Sequence, residues 1–350
     1  MYNEVISQRG DLVKNYFPEG IPDLWCPIIV QYKSNKEIDM LRMEQHLSSI
    51  VSHVKTFLLF GSTGDGWELT HEEKESLLQA CIDWSHRYGI KMLLGVLQPG
   101  LGESKKEIQQ WVEWLMNYTH KPAVTEALKS SGVVGFTICP PKGSDLSQDI
   151  IGSELETILR LNLPTAIYQL PQVTQNEIEP DTLHVLAKSY PNFYLFKDTS
   201  GSDNVLKSGL DFYHVFFVRG MEGDYCDWFS LNKRRYNGFL LSSANCLANL
   251  LSQMLKAAKA GEIETARKLS FTVQQVIEAV FSNTSSLDGG NVFANSNKCI
   301  DHCLAYGRDW EKYPLPMRHC GQTIPRRYAA FAAETLDKYG LLPEKGYMFQ

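Results

Sequence analysis

From about residue 24 to residue 241, short apolar runs alternate with longer amphipathic stretches. The runs fall at 25–32, 57–60, 92–97, 133–139, 165–168, 194–197, 214–219 and 238–241. Helical periodicity shows between several of them, at 38–53, 71–88, 105–117 and 180–189. Short strands separated by helix-length segments are the pattern of parallel strands joined by crossover helices. Eight such units over roughly 220 residues fit a closed barrel, whose usual size is about 250 residues. The expected fold is therefore α/β, a (β/α)8 TIM barrel. An open doubly wound sheet is the alternative, and the lack of a Gly-x-Gly-x-x-Gly turn after the first strand counts against it.

Past about residue 245 the strand pattern gives way to helical patterns at 247–260, 263–281, 291–306 and 327–339. Gly289-Gly290 and Tyr313-Pro314-Leu315-Pro316 break them. The expected organisation is an N-terminal extension (1–23), a barrel catalytic domain (24–250) and a C-terminal helical region (251–350). One helix start is legible to the residue. Thr70-His71-Glu72-Glu73 has the capping-box pattern, in which Thr70 caps the free amides and Glu73 reaches back. The loop Gly61-Ser62-Thr63-Gly64-Asp65-Gly66 then sits between the second strand and its helix, at the carboxyl end of the strand. In barrels that end carries the active site.

Bulk composition narrows the function. Forty acidic against 34 basic residues give a net charge of -6, which argues against nucleic acid as the main partner. Lys233-Arg234-Arg235 is the densest basic run and reads as a solvated stretch before a strand. The eight cysteines are scattered through apolar segments without the spacing of a disulfide framework. Cys299 and Cys303, with His302 between them, resemble half a metal site, but no second pair completes it. The N-terminus lacks the apolar core of a signal peptide, and no apolar run approaches the ~18 residues that span a bilayer. A soluble, cytoplasmic protein without membrane, nucleic-acid or metal partners is expected.

Three segments at predicted strand ends carry chemistry: FLLFGSTGDGWELTHEE (57–73), PTAIYQLPQ (164–172) and FYLFKDTSGSDN (193–204). Side chains alternate along a strand, so Lys197 shares the face of Leu195 and points inward. Burial disfavours the ammonium form of an inward lysine and leaves some free amine at neutral pH. A free amine attacks a ketone to give an iminium, an electron sink for the neighbouring carbon–carbon bond. On this segment alone, a structural ion pair with Asp198 accounts for the lysine equally well. By the same alternation Tyr168 points inward one strand away, where a phenol can shuttle the proton of a substrate hydroxyl. A core tyrosine is the competing explanation. Ser62 and Thr63, flanked by glycines just before a helix, offer amides and hydroxyls to an anion such as a 2-keto acid's carboxylate. Plain turn chemistry is the competing explanation here.

Together, GSTGDGWELTHEEK, YQLP and FKDTSG resemble the dihydrodipicolinate synthase/N-acetylneuraminate lyase family of Schiff-base pyruvate aldolases. That family's pattern is Gly-Thr/Ser-Thr-Gly-Glu-x-x-x-Leu-Thr-x-Glu-Glu, then Tyr-Asn-x-Pro, then Lys-Asp-Ser/Thr-Ser-Gly. The similarity runs from about residue 24 to 305, and NSNKCIDHCLAYG resembles the family's C-terminal helix. The resemblance implies that Lys197 forms the Schiff base and that Tyr168 relays protons. It implies that Ser62 hydrogen-bonds that tyrosine and that Thr63 holds the pyruvoyl carboxylate. It further implies a substrate-tail site drawn from Thr199, Gly220, Glu222, Ser242 and Ser243.

Three departures bear on the reaction. The arginine that grips a second carboxylate in dihydrodipicolinate synthases is replaced by Val173, which cannot form that charge-assisted pair. The aromatic pair after strand four is replaced by Cys139-Pro140-Pro141-Lys142-Gly143, and the asparagine of Tyr-Asn-x-Pro by Gln169. The expected activity is reversible aldol cleavage of a 2-keto-3-deoxy sugar acid or sialic-acid-like substrate, with pyruvate as one product and an aldehyde as the other. A dehydratase or dihydrodipicolinate-synthase-like enzyme using the same iminium is the near alternative, and a catalytically silent binding or regulatory barrel the distant one. No metal or organic cofactor is implied, since the lysine is itself the electron sink. The resemblance implies a homo-oligomer, a dimer or tetramer.

Overall fold

A computed structural model describes residues 2–229 and 236–349. Eight parallel strands close in sequence order: β1 (Leu24–Pro27), β2 (Thr56–Leu59), β3 (Lys91–Val96), β4 (Val133–Ile138), β5 (Thr165–Gln169), β6 (Phe193–Asp198), β7 (Phe216–Arg219) and β8 (Gly238–Leu240). This is the expected TIM barrel with C-terminal helices. Nearly every strand residue is buried, as in parallel sheets covered on both faces, and that is why the strands read as continuous apolar runs. The basic run Lys233-Arg234-Arg235 lies outside the described residues.

By backbone proximity the chain divides into two compact units. One contains Met1–Asp23, Lys91–Met221 and Trp228–Leu240; the other contains Leu24–Ile90, Glu222–Asp227 and Leu241–Gln350.

The first unit carries β3 to β8. Its helices include Glu103–Thr119 and Pro180–Ser189, anticipated within two residues, and Val124–Ser131 and Gln148–Leu159, which the periodicity did not single out. The N-terminal stretch, read as a polar extension, forms a helix over Tyr2–Tyr16. Arg9 explains its attachment. The side chain is buried, and its guanidinium donates to the carbonyls of Phe193 at 2.7 Å, Ala187 at 2.6 Å, Tyr190 at 2.9 Å and Tyr213. An arginine with four of its five donors met by backbone carbonyls can be buried at tolerable cost.

The second unit carries β1, β2 and the C-terminal helices Ala244–Lys259, Ile263–Thr284, Val292–Tyr306 and Arg326–Lys338. β1 stops at Pro27, earlier than the apolar run 25–32 suggests. The helix His71–Tyr88 begins as read: the Thr70 hydroxyl accepts from the Glu73 amide at 3.2 Å, and the Glu73 carboxylate accepts from the Thr70 amide at 2.8 Å. The His302 ring meets the Trp310 carbonyl at 3.0 Å, and the Cys303 thiol donates to the Ala329 carbonyl at 3.4 Å. Among the described residues no group of three or more His, Cys, Asp or Glu is placed to hold a metal ion. No helix among them is long and apolar enough to cross a membrane.

Candidate active site

The parallel register sets Tyr168 of β5 opposite Lys197 of β6, and Lys197 opposite Val218 of β7. Residues in register on neighbouring strands project to the same face. Tyr168 and Lys197 are both buried, and the Lys197 ammonium lies 3.9 Å from the centre of the Tyr168 ring. That is the close range of a cation–π contact. A lysine held against a phenol, away from bulk water at a strand's carboxyl end, has the surroundings of an amine nucleophile beside an acid/base group.

The neighbours of this pair are tightly specified. Gly220, just past β7, approaches the lysine stem so closely that an added Cβ would lie 2.8 Å from Lys197 Cε and 2.2 Å from Thr199 Cγ2. Its amide donates to the Asp198 carbonyl at 2.7 Å. Thr199 is buried, and its hydroxyl donates to the Gln169 carbonyl at 2.6 Å, so what it retains for a ligand is acceptor capacity. Gln169 itself is fully buried and accepts from the Ile178 amide through Oε1 at 2.7 Å.

Asp198, the partner that the competing reading supposes for Lys197, takes three other donors. Its carboxylate accepts from the Ser200 amide at 2.8 Å and hydroxyl at 2.6 Å, and from the Tyr236 hydroxyl at 3.0 Å. Burial raises its pKa against those hydrogen bonds. The Tyr236 hydroxyl is also 2.7 Å from Asp203, which pairs with Arg219 at 3.2 Å. Sequence reasoning missed this network, because its members are spread over 38 residues and only the fold gathers them. It missed Cys139 as well. Burial pushes this thiol up to about 12 against the pull of the nearby Lys197 ammonium. The signal was available: Cys139 is two residues beyond Thr137, which pairs with Ala166, so alternation puts the thiol on the face of Tyr168.

In the second unit, β2 runs into Phe60 at φ 58°, then a single 3-10 turn over Ser62–Gly64, then Asp65 in the left-handed region at φ 52°. Gly64 is required here, since a Cβ would meet the Ile28 carbonyl oxygen at 2.5 Å. Ser62 and Thr63 are buried, and the Ser62 hydroxyl accepts from the Trp67 indole at 2.8 Å.

Glu222, Ser242 and Ser243 come together in the same unit, although 20 residues separate the glutamate from the first serine. One carboxylate oxygen accepts from the Ser242 hydroxyl at 2.7 Å and the Ser243 amide at 2.9 Å. The other accepts from the Ser243 hydroxyl at 2.7 Å and the Tyr225 hydroxyl at 2.8 Å. Four donors fill the four lone-pair positions of a carboxylate. Glu222 therefore orders the chain at Ser242–Ser243, and Ser243 is fully buried. Of the departures, Val173 lies half-buried on a single helical turn, Pro171–Thr174, while Cys139 and Pro141 are buried and Lys142 is exposed.

A closed eight-stranded barrel with a buried lysine at the end of β6, seated on a tyrosine of β5, is the arrangement that the resemblance to Schiff-base pyruvate aldolases leads one to expect. The Dihydrodipicolinate synthetase family model matches residues 119–288. The chain is 23% identical over 271 residues to 4-hydroxy-tetrahydrodipicolinate synthase of Methanospirillum hungatei, a match covering 77% of this chain and 86% of that protein. YagE from Escherichia coli K12, in complex with pyruvate, superposes with a TM-score of 0.69 at 17% identity, over 91% of this chain and 98% of that one. A pyruvate complex of a Sulfolobus solfataricus 2-keto-3-deoxygluconate aldolase variant does so at 0.66 and 18% identity, over 91% and 96%. At such identities the structural likeness speaks for the fold. With motifs, fold and family match in agreement, the chain resembles the dihydrodipicolinate synthetase family and is an enzyme of the pyruvate-dependent class I lyase and synthase type.

Proposed function

We propose that this enzyme reversibly cleaves a 2-keto-3-deoxy sugar acid or sialic-acid-like substrate to pyruvate and an aldehyde, through an iminium on Lys197. The observation that carries the reading is the buried Lys197 ammonium 3.9 Å above the Tyr168 ring. In the forward direction the Lys197 amine adds to the C2 ketone and water leaves, giving the iminium. Tyr168 gives its phenolic proton to the departing hydroxide in that step, and the resulting phenolate accepts the proton of the C4 hydroxyl as the C3–C4 bond breaks. The electron pair moves into the iminium to give an enamine, and the aldehyde departs. Protonation at C3 and hydrolysis then release pyruvate and the free lysine. By the family pattern Thr63 is the residue for the carboxylate and Ser62 the hydroxyl of the proton relay. Gly220 leaves room for the lysine stem, and Thr199 and Ser242 accept from the substrate's hydroxyl tail. Glu222 and Ser243 act behind them by fixing Ser242.

Val173 favours this reading over a dihydrodipicolinate-synthase-like one, because a second carboxylate needs a fixed cation and valine offers none. The second reading keeps standing through the name of the Methanospirillum relative. A dehydratase would use the same iminium to expel the hydroxyl as water. The barrel 24–250 would carry the site and 251–350 the helical region, in a cytoplasmic homo-oligomer. Eight free cysteines fit the reducing cytoplasm.

A coupled assay for pyruvate release across 2-keto-3-deoxy sugar acids and sialic acids tests the reading, with aspartate semialdehyde plus pyruvate as the competing reaction. Release from at least one sugar acid is expected, with little consumption of the semialdehyde. An inert panel beside efficient semialdehyde consumption would establish the synthase reading. A dehydrated keto acid formed without pyruvate would establish the dehydratase.

A further inference from the structure

The turn Ser62–Gly64 is followed by a carboxylate, which is an awkward neighbour for a segment that has to receive an anion. Asp65 is buried in a left-handed conformation, and its amide and side chain belong to the same tight loop. Its carbonyl accepts the amides of Glu68 and Leu69, both at 3.0 Å, so the backbone cannot swing the side chain outward without losing the start of the next segment. The charge stays where the fold puts it.

What meets that charge comes from far along the chain. Lys298, on the helix Val292–Tyr306 and 1% exposed, donates to Asp65 Oδ2 at 3.0 Å. The Tyr32 hydroxyl donates to the same oxygen at 2.9 Å, and the ammonium lies 4.6 Å from the centre of the Tyr32 ring. Burial and the Asp65 charge hold the Tyr32 phenol far above its ordinary pKa, so it remains a donor. The three side chains form one cluster of an anion, a cation and a phenol touching both, with His319 edge-on to the Tyr32 ring at 5.7 Å and the Glu68 carboxylate within electrostatic reach of both charges.

A buried ion pair is weak evidence for a stabilising role, because desolvation offsets most of the attraction and well-packed apolar replacements are often as stable. Its best-attested use is to fix geometry, and here it also cancels charge. Both are needed directly after a turn that presents hydroxyls and amides to a carboxylate. An uncancelled unit charge within several ångströms in a low-dielectric site would repel the incoming anion. We propose that Lys298, with Tyr32, is a positioning residue of the keto-acid site: it neutralises Asp65 and locks the Ser62–Gly64 turn for the pyruvoyl carboxylate. The inference rests on the iminium reading above and on the carboxylate role of that turn.

The test titrates pyruvate against borohydride trapping, read by intact mass, in the full-length protein. Lys298→Met should raise the half-saturating pyruvate by about 10-fold or more, as an unpaired buried Asp65 charge demands, while trapping at saturation is retained. The double variant Asp65→Asn/Lys298→Met, which removes both charges, should return half-saturation to within a few-fold of wild type. A purely structural lysine would show its loss and rescue in the thermal midpoint and leave the half-saturating pyruvate unchanged in both variants. Should Lys298→Met fail to fold, Lys298→Gln, which keeps a donor on Asp65 without the charge, replaces it in the same comparison. The inference is overturned if wild type traps pyruvate and the single variant half-saturates where wild type does. It is equally overturned if the double variant is no better than the single. Failure of wild type to trap at all would instead overturn the iminium reading itself.

Discussion

Gly220→Ala should disable the enzyme while leaving it folded, and the structure gives the size of the effect. The new Cβ would stand 2.2 Å from Thr199 Cγ2 and 2.8 Å from Lys197 Cε, where carbon atoms ordinarily stay about 3.5–4.0 Å apart. Something has to move by roughly an ångström. Thr199 is poorly free to rotate, because its hydroxyl donates to the Gln169 carbonyl at 2.6 Å. The Gly220 backbone is tied by its own amide to the Asp198 carbonyl at 2.7 Å. The closer clash must be taken up by Thr199 or the Gly220 backbone against these ties, and the second displaces the lysine stem as well. Overpacking of this kind costs about 1–3 kcal/mol of stability, which a domain of this size survives. A reacting group misplaced by about 1 Å loses on the order of 10²-fold in rate. The assay is the rate of pyruvate adduct formation on Lys197, measured beside the thermal midpoint. Adding Thr199→Ser removes the nearer of the two clashing carbons and should recover part of the rate. A Gly220→Ala protein that forms the adduct within a few-fold of wild type would refute the claim that Gly220 exists to make room for the lysine.

Other expectations are independent of that one. Tyr168→Phe should still form the adduct but lose about 10²–10⁴-fold in kcat, the usual contribution of a positioned acid/base group; a variant within a few-fold of wild type would make Tyr168 a core residue only. His302 is held at about 4 by burial, below its ordinary 6.5. A depressed folded-state pKa means that its contribution is full above about pH 6.5 and is lost as pH falls toward about 4, with a slope of up to about 1.4 kcal/mol per pH unit. Urea midpoints at pH 7, 6 and 5 should fall accordingly, and His302→Gln should flatten that window; equal slopes in both proteins would contradict it. With its thiol held near 12, Cys139 should resist iodoacetamide at pH 8 in the folded protein, whereas the exposed Cys320 reacts. Peptide mapping showing Cys139 labelled as fast as Cys320 would show the site to be open. Thr70→Ala should cost about 1 kcal/mol through the lost capping box, and an unchanged thermal midpoint would show that the helix end is held by other contacts.

The barrel was legible because its physics is local. A strand buried on both faces must be apolar along its length, and a capping box sets a helix start within four residues, as Thr70 and Glu73 do. The pairing of Lys197 with Tyr168 was legible for a similar reason: alternation gives each side chain's face, and parallel neighbours in register share it. What alternation does not reveal is how many donors a carboxylate has already collected. Glu222 reads as a ligand for substrate hydroxyls, yet its oxygens accept from Ser242, Ser243 and Tyr225. Arg9 reads as part of a polar extension, yet its guanidinium is consumed by carbonyls about 180 residues away. Lys298 meets Asp65 across 233 residues. Such long-range polar matches depend on tertiary distance, and no spacing in the chain encodes them. The strand boundaries erred where apolar burial continues past the last ladder hydrogen bond, as it does beyond Pro27.

The account turns on one covalent bond. Incubation with pyruvate and borohydride, followed by intact mass and peptide mapping, reads it directly without knowledge of the full substrate. A single reduced pyruvate adduct per chain, located at Lys197 and abolished in Lys197→Ala, is the predicted result. No adduct at saturating pyruvate, or one carried by Lys142 or Lys207 with Lys197 unmodified, would contradict it.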